Sequence, residues 1–398
     1  MISIVNGNIL VPGGMITGGQ VIIDQGKIAA VHQRPVDIPD AIRIDARGRY
    51  VSPGFIDIHV HGGAGHDFMD GTKEAFLEIA KLHACYGTTA LMPTTLSGSR
   101  RELIDTLEAY RVADRDNLQG ARFLGMHLEG PYFAMGQRGA QDPQYIRNPD
   151  PAEYKSLIDA YPFIKRWSAA PELPGALEFG DYLKQRQVLP ALAHTEAIYE
   201  EVERAFAHGF TLATHLYSGM LGVTRRHAHR YAGAVESAFL LDGMDVEVIA
   251  DGVHLPNPLL KLIHKIKGPE RIALITDAMR ATGMPEGKSI LGSRNNGLEV
   301  IVEEGVAKLP DRTAFAGSVA TADRLVRTML GVGGISLPEI IQMISSTPAR
   351  ILGVDDRKGS LAKGKDADIV VFDQEIKVHL TLVEGRIVFG ENPLRPGA

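Results

Sequence analysis

Cysteine is almost missing from this chain: Cys85 is the only one among 398 residues. One thiol excludes an intramolecular disulfide and suits a reducing compartment, so a cytoplasmic location is expected. Long apolar runs are missing too, and no segment reaches the length of a membrane span. The start, Met1-Ile2-Ser3-Ile4-Val5-Asn6-Gly7-Asn8, lacks the basic region and apolar core of a signal peptide. Positive charge is not in excess: 42 Lys and Arg face 48 Asp and Glu, a net charge of −6 that argues against a general nucleic-acid or acidic-membrane binder. Nor does a Gly-x-Gly-x-x-Gly follow the first buried strand, which counts against a doubly wound dinucleotide fold. What remains is ordinary globular composition, 44% hydrophobic and 23% charged.

Against that background, Asp57-Ile58-His59-Val60-His61 stands out, directly after Pro53-Gly54-Phe55-Ile56. Residues two apart share a face of a strand, so His59 and His61 point the same way. Gly62-Gly63 follow, where the chain must turn. Two imidazoles fixed side by side can form half of a metal site. Such a pair also arises in ordinary strands, so the reading depends on further ligands elsewhere.

Residues 1–52 read as short strands broken by turns, and Ala367 to Phe389 read the same way. Val21–Ile28 and Leu382–Val388 are look-alike hairpins at opposite ends. Neither piece can bury a core alone, so the termini are expected to meet in one small β-sandwich domain built from 1–52 and 346–398. Between them, over 53–345, strand and helix alternate. The strand candidates are Phe55–Val60, Thr88–Met92, Arg122–Leu128, Trp167–Pro171, Val188–Ala193, Thr211–Thr214, Val246–Ala250 and Arg271–Thr276. Helical stretches such as Lys73–Cys85 and Ile198–His208 separate them, with Gly87 and Gly209 placed as helix-terminating glycines. Eight strand–helix units in a row predict an α/β fold of the (β/α)8 TIM-barrel type, with the chemistry at the C-terminal strand ends.

One kind of residue recurs at that level. Strand one ends in His59 and His61, strand three in His127-Leu128-Glu129, strand five in His194, strand six in His215, strand seven in Asp251 and His254, strand eight in Asp277. Taken singly, each has a bland explanation: a strand-end histidine is usually a hydrogen-bonded structural residue, and Glu129 or Asp277 could cap a helix. Jointly, His59, His61, Glu129, His194, His215 and Asp277 predict a metal centre. Nitrogen and oxygen donors without thiolate favour zinc, iron, manganese or cobalt. His127 shares a strand face with Glu129, and either supports the site or is structural.

The run from Pro53 to Gly62 resembles the opening signature of the amidohydrolase superfamily. His127-Leu128-Glu129-Gly130-Pro131, Thr214-His215-Leu216-Tyr217, Asp251-Gly252-Val253-His254, Thr276-Asp277-Ala278-Met279, Ala316-Gly317-Ser318 and Ser346–Gly353 resemble the N-acetylglucosamine-6-phosphate deacetylase family. The resemblance implies that Glu129 sits between two metal positions, in place of the carboxylated lysine of other amidohydrolases. His194 and His215 would complete one site; His59 and His61, with Asp277, would hold a second ion, giving one or two divalent ions per subunit, zinc first. It implies deacetylation of N-acetylglucosamine 6-phosphate or a close N-acetylhexosamine 6-phosphate. Hydroxide generated on the metal would attack the acetamide carbonyl, with Asp277 moving the proton to the departing amine. A homodimer is the expected state. Rival readings are an amidohydrolase acting on another N-acyl or cyclic amide, and an inactive scaffold.

Substrate recognition departs from the family pattern. Tyr217-Ser218-Gly219-Met220 replaces the usual continuation Asn-Ala-Met, so Ser218 and Gly219 take the place of groups that contact the sugar phosphate in relatives. The segment Thr224–Gly233 is rich in arginine within an acidic chain, which suits an anionic amino sugar held by Arg226 or Arg230; the alternative is a solvated loop. His254 matches the family's phosphate-contacting histidine. Gln141 stands about where some members place a histidine near the acetamide, or is ordinary loop polarity. Ala316 and Gly317 either pack a loop against the sugar or form a plain turn.

Overall fold

The computed structural model describes residues 1–390. The chain is α/β. The strands Ile2–Val11, Gly14–Asp24, Lys27–His32, Ile42–Asp45 and Tyr50–Pro53 join Ile369–Phe372, Val378–Val383 and Arg386–Gly390. The pairings give one connected eight-stranded sheet here rather than the two separate sheets of a sandwich. The branch point explains it. Ile2–Val5 pairs with Ile42–Asp45 while Asn8 and Ile9 pair with Tyr50 and Val51, so one long strand serves several neighbours. Tyr50–Pro53 then runs antiparallel to Ile369–Phe372, which is where the two ends of the chain meet. Ile4, Ile9 and Val51 share a buried apolar cluster with Ile369, Val371 and Leu382. Apolar burial of this kind is worth roughly 25 cal/mol per Å².

Eight parallel strands position the site: β1 Phe55–Val60, β2 Thr88–Pro93, β3 Met126–Glu129, β4 Ile164–Ala169, β5 Leu189–Leu192, β6 Leu212–Ala213, β7 Asp245–Ile249 and β8 Ile272–Ile275. β3 to β8 form one parallel sheet in chain order, and β1 pairs with β2. Single parallel bridges, Thr94 to His127 and Val60 to Ala278, link the two groups at their C-terminal ends. The expected strand Arg122–Leu128 is broken at Leu124-Gly125, where Gly125 has a φ of 105°, so Arg122–Phe123 pairs with β2 and β3 begins afresh at Met126.

Helices cover this sheet as the apolar spacing dictates. Lys73–Cys85 buries Ala75, Phe76, Ile79, Ala80, His83 and Ala84, a one-sided stripe of helical period, and starts where the Thr72 hydroxyl accepts from Ala75 N–H. A feature the strand–helix reading does not contain follows β8. Gly287–Leu291, Leu298–Glu303, Val306–Lys308 and Phe315–Ser318 form a four-stranded antiparallel sheet. Its last strand returns over the strand ends, with Ser318 bridging to Ala278.

Candidate metal centre

Every residue predicted from the strand ends to hold metal arrives in one buried cluster. Glu129, the last residue of β3, stands at its middle. Its Oε1 lies 2.9 Å from His215 Nε2 and 3.4 Å from His194 Nε2, while its Oε2 lies 3.4 Å from His61 Nε2. His59 Nε2 is 3.2 Å from His61 Nε2, and Asp277 Oδ1 is 3.1 Å from His61 Nε2 and 3.5 Å from His59 Nε2. Two triads result, His59–His61–Glu129 and Glu129–His194–His215, each with donor atoms close enough to share one ion.

Backbone geometry aims these groups. His194, His215 and Asp277 have φ values of 47°, 30° and 49° just beyond β5, β6 and β8. Non-glycine residues rarely take the left-handed region, and doing so costs on the order of 1–3 kcal/mol each. Three such residues at one cluster mark strain held at a functional site. Their rings are also fixed from behind: His194 Nδ1 meets Gln137 O at 2.8 Å and His215 Nδ1 meets Ser218 O at 3.2 Å. Carbonyl acceptors there require an N–H at Nδ1, so Nε2 is the ring nitrogen turned toward Glu129 and, once unprotonated, the atom that can donate to an ion.

The donor set fits a cation. Two imidazole nitrogens at 3.2 Å and several carboxylate oxygens converge with only protons to offset them. Burial pulls His61 down, yet Asp277 and Glu129 outweigh it and push the imidazole to about 9. His59, more completely desolvated, is lowered despite Glu129 and Asp277. Burial alone would raise Glu129, but His59, His194, His215 and His61 hold it well below the usual carboxylate range. Asp277 is lowered in the same way, mainly by His59 and His61 overcoming burial. The two carboxylates therefore draw positive charge into the pocket, and a divalent ion is one way to supply it.

The cluster floors a cavity of about 280 Å³, lined also by Gln141, Tyr217, Ser218, Gly219, His254, Phe315 and Gly317. Gly219 has a φ of 58°, and a Cβ there would fall 2.7 Å from His194 Nδ1; a Cβ on Gly317 would fall 3.0 Å from Asp277 O. Both positions need glycine for close approach to the residues of the cluster. His254 is pinned, its Nδ1 2.7 Å from Asp251 Oδ2 and its ring packed against Phe315. Gln141 is not loose loop polarity: its Nε2 donates to Glu129 Oε2 at 2.9 Å.

Three expected substrate residues lie elsewhere. Ala316 is buried in the core of the antiparallel sheet, because alternation along Phe315–Ser318 turns it away from the cavity. Arg226 and Arg230 lie on an exposed hairpin, Thr224–Arg226 against His229–Tyr231, outside the cavity lining. His127 is held by two hydroxyls, Ser168 Oγ at 2.7 Å and Thr94 Oγ1 at 3.2 Å, and belongs to neither triad. Two residues escaped the sequence reading: Arg166 and Glu247, charged yet fully buried and paired with each other beside His59. A charge at an enclosed position of an apolar strand was the available signal.

The Amidohydrolase family profile matches residues 50–388. The chain is 36% identical over 382 residues to the N-acetylgalactosamine-6-phosphate deacetylase of Escherichia coli O157:H7, covering 95% of this chain and 97% of that one. It is 34% identical over 380 residues to the N-acetylglucosamine-6-phosphate deacetylase of Bacillus subtilis (strain 168), covering 94% of each. Among solved structures, a mutant N-acetyl-D-glucosamine-6-phosphate deacetylase from Mycobacterium smegmatis, in complex with N-acetyl-D-glucosamine-6-phosphate, matches with a TM-score of 0.89. That match has 31% identity and covers 97% of this chain and 99% of that chain.

Proposed function

This chain belongs to the amidohydrolase family and is a hydrolase of amide C–N bonds, and on that premise we propose that it deacetylates an N-acetylhexosamine 6-phosphate. The amide bond breaks, water supplies OH to the acyl carbon and a proton to nitrogen, and acetate and the amino sugar phosphate leave. The observation that supports this reading is Glu129, whose carboxylate lies within 3.5 Å of histidines of both triads at the floor of a sugar-sized cavity.

Glu129, His194 and His215 would hold one divalent ion, and His59 and His61 with Asp277 a second; zinc is the ion we favour. When bound, such an ion lowers the pKa of water toward neutrality and polarises the amide carbonyl. The chain's residues do the rest. Asp277, kept ionised by its neighbours, accepts the proton of the attacking water. It then returns that proton to the amine nitrogen, because an unprotonated amine leaves poorly. Gln141 steadies the Glu129 carboxylate. His254 has Nδ1 occupied by Asp251, which leaves Nε2 to meet the phosphate. Ser218 and Gly219 would line the sugar.

The same reading takes β1 to β8 as a (β/α)8 barrel domain over about 53–345, with 1–52 and the rest of the described chain from 346 forming one small β-domain; the expected end of that domain, 391–398, lies outside the described residues. It takes the exposed hairpin with Arg226 and Arg230 as serving a second copy, in a homodimer. Among the described residues no helix is long and apolar enough to cross a membrane, and the single half-buried thiol supports a cytoplasmic setting. The test is a kcat/KM panel on N-acetylglucosamine and N-acetylgalactosamine, each with and without the 6-phosphate. A preference of roughly 100-fold or more for the phosphorylated forms is expected from buried charge pairing. Equal rates with and without phosphate would reassign the enzyme to another N-acyl substrate, and the panel also decides between the two epimers.

A further inference from the structure

We propose that Glu247, clamped by Arg166, is a positioning residue that sets the tautomer and aim of His59 and couples the two triads. The inference rests on the reading of those triads as metal sites.

Glu247 lies mid-strand in β7 and Arg166 in β4, and both are fully buried. Glu247 Oε2 is 3.3 Å from His59 Nδ1, on the side of the ring away from the cluster. The same oxygen accepts the backbone N–H of His215 at 3.3 Å. One carboxylate thus touches a histidine of each triad. Arg166 holds it with both guanidinium ends, Nη2 to Oε2 at 2.9 Å and Nη1 to Oε1. The guanidinium also donates to Ile58 O at 3.2 Å and Thr214 Oγ1 at 2.8 Å, the residues just before His59 and His215.

Burying this pair is hard to explain by stability. Desolvating two charges costs several kcal/mol, and buried ion pairs are often matched by apolar residues of similar volume. Position explains it better. A carboxylate accepting at Nδ1 requires the proton there, so Nε2 presents its lone pair to Glu129, His61 and Asp277. The arrangement also differs from its neighbours: His194 and His215 lean on main-chain carbonyls, and His61 Nδ1 has no partner among the described residues. His59 alone leans on a charge, which strengthens its imidazole as a donor. Glu247 also supports the left-handed backbone that aims His215.

The experiment measures zinc content and zinc affinity, by chelator competition, on the parent, on Glu247→Gln, and on the double variant Arg166→Met with Glu247→Leu. The parent must bind zinc; a parent without transition metal sinks the reading of the triads themselves. Glu247→Gln is expected to weaken one zinc by roughly 10- to 100-fold, the loss usual when the group behind a metal-binding histidine is removed. The double variant removes the charges together, so its thermal unfolding should stay near the parent's while the zinc affinity remains reduced. If the double variant folds and binds zinc like the parent, the pair is structural only and the proposal is overturned. Parent-like affinity in Glu247→Gln would overturn it equally.

Discussion

Gln141 ties the loop after β3 to the Glu129 carboxylate: its Nε2 donates to Glu129 Oε2 at 2.9 Å while its Oε1 accepts Ser97 N–H at 2.8 Å. The side chain is therefore a strut between the β2 end and the middle of the cluster. Gln141→Leu keeps the bulk and removes both bonds. A hydrogen bond to a charged group is worth about 1.5–3 kcal/mol, so kcat/KM should fall roughly 10- to 150-fold with the melting temperature little changed. An unchanged kcat/KM would return Gln141 to ordinary loop packing.

Asp277 Oδ1 lies 3.1 Å from His61 Nε2 and 3.5 Å from His59 Nε2. Asp277→Asn preserves shape but cannot accept a proton. Turnover should drop by roughly 100-fold or more, while the ion at Glu129, His194 and His215 stays bound. Turnover within a few-fold of the parent would leave Asp277 as a ligand only.

The arginine hairpin gives a prediction about assembly. Arg226 packs over the Tyr231 ring, its guanidinium carbon 5.4 Å from the centroid, and points no charge into its own chain's cavity. If the hairpin serves a second copy, the native mass equals two chains, and joint Arg226→Ala and Arg230→Ala substitution reduces the phosphate preference about tenfold or more. A monomer whose preference survives the substitutions would remove the hairpin from substrate binding.

A contact between the two ends of the chain predicts the acid limb of stability. Lys27 Nζ lies 2.6 Å from Asp366 Oδ1, and the buried Lys358 Nζ lies 2.9 Å from Asp366 Oδ2. Burial would raise Asp366, but these lysines outweigh it and lower its pKa. A depressed carboxylate adds stability above its unfolded pKa, and that stability is lost as pH falls through the folded value. Asp366→Asn should thus be less stable than the parent in urea at pH 7, with the gap closing below about pH 4. A gap independent of pH would mean that packing, not charge, is what the substitution removes.

Much of this was legible in sequence because it depends on short periods. His59 and His61 share a face by the two-residue repeat of a strand, and β1 occupies the predicted Phe55–Val60. Glu129, His194, His215 and Asp277 were found because parallel strands put their C-terminal ends at one level, whatever the registers. What stayed hidden depends on long-range register. Arg166 and Glu247 are 81 residues apart and meet only across the sheet. Gln141 reads either as a residue near the acetamide or as loop polarity, and its bond to Glu129 shows only once the loop folds back. The antiparallel sheet after β8 is also invisible to strand–helix counting, so Ala316 and Gly317 could not be divided into core and cavity. Arg226 and Arg230 were drawn to the site by charge and by a loose match to the family's arginine, neither of which says which way a hairpin faces.

The most direct test of the account is acetate release from N-acetylglucosamine 6-phosphate and N-acetylgalactosamine 6-phosphate by the purified enzyme, before chelation, after it, and after zinc is returned. The account predicts one acetate and one free amine per turnover on at least one of the two sugars, loss of activity on chelation, and recovery with zinc. Acetate release that survives complete metal removal, or none from either sugar phosphate by the metal-loaded enzyme, would contradict it.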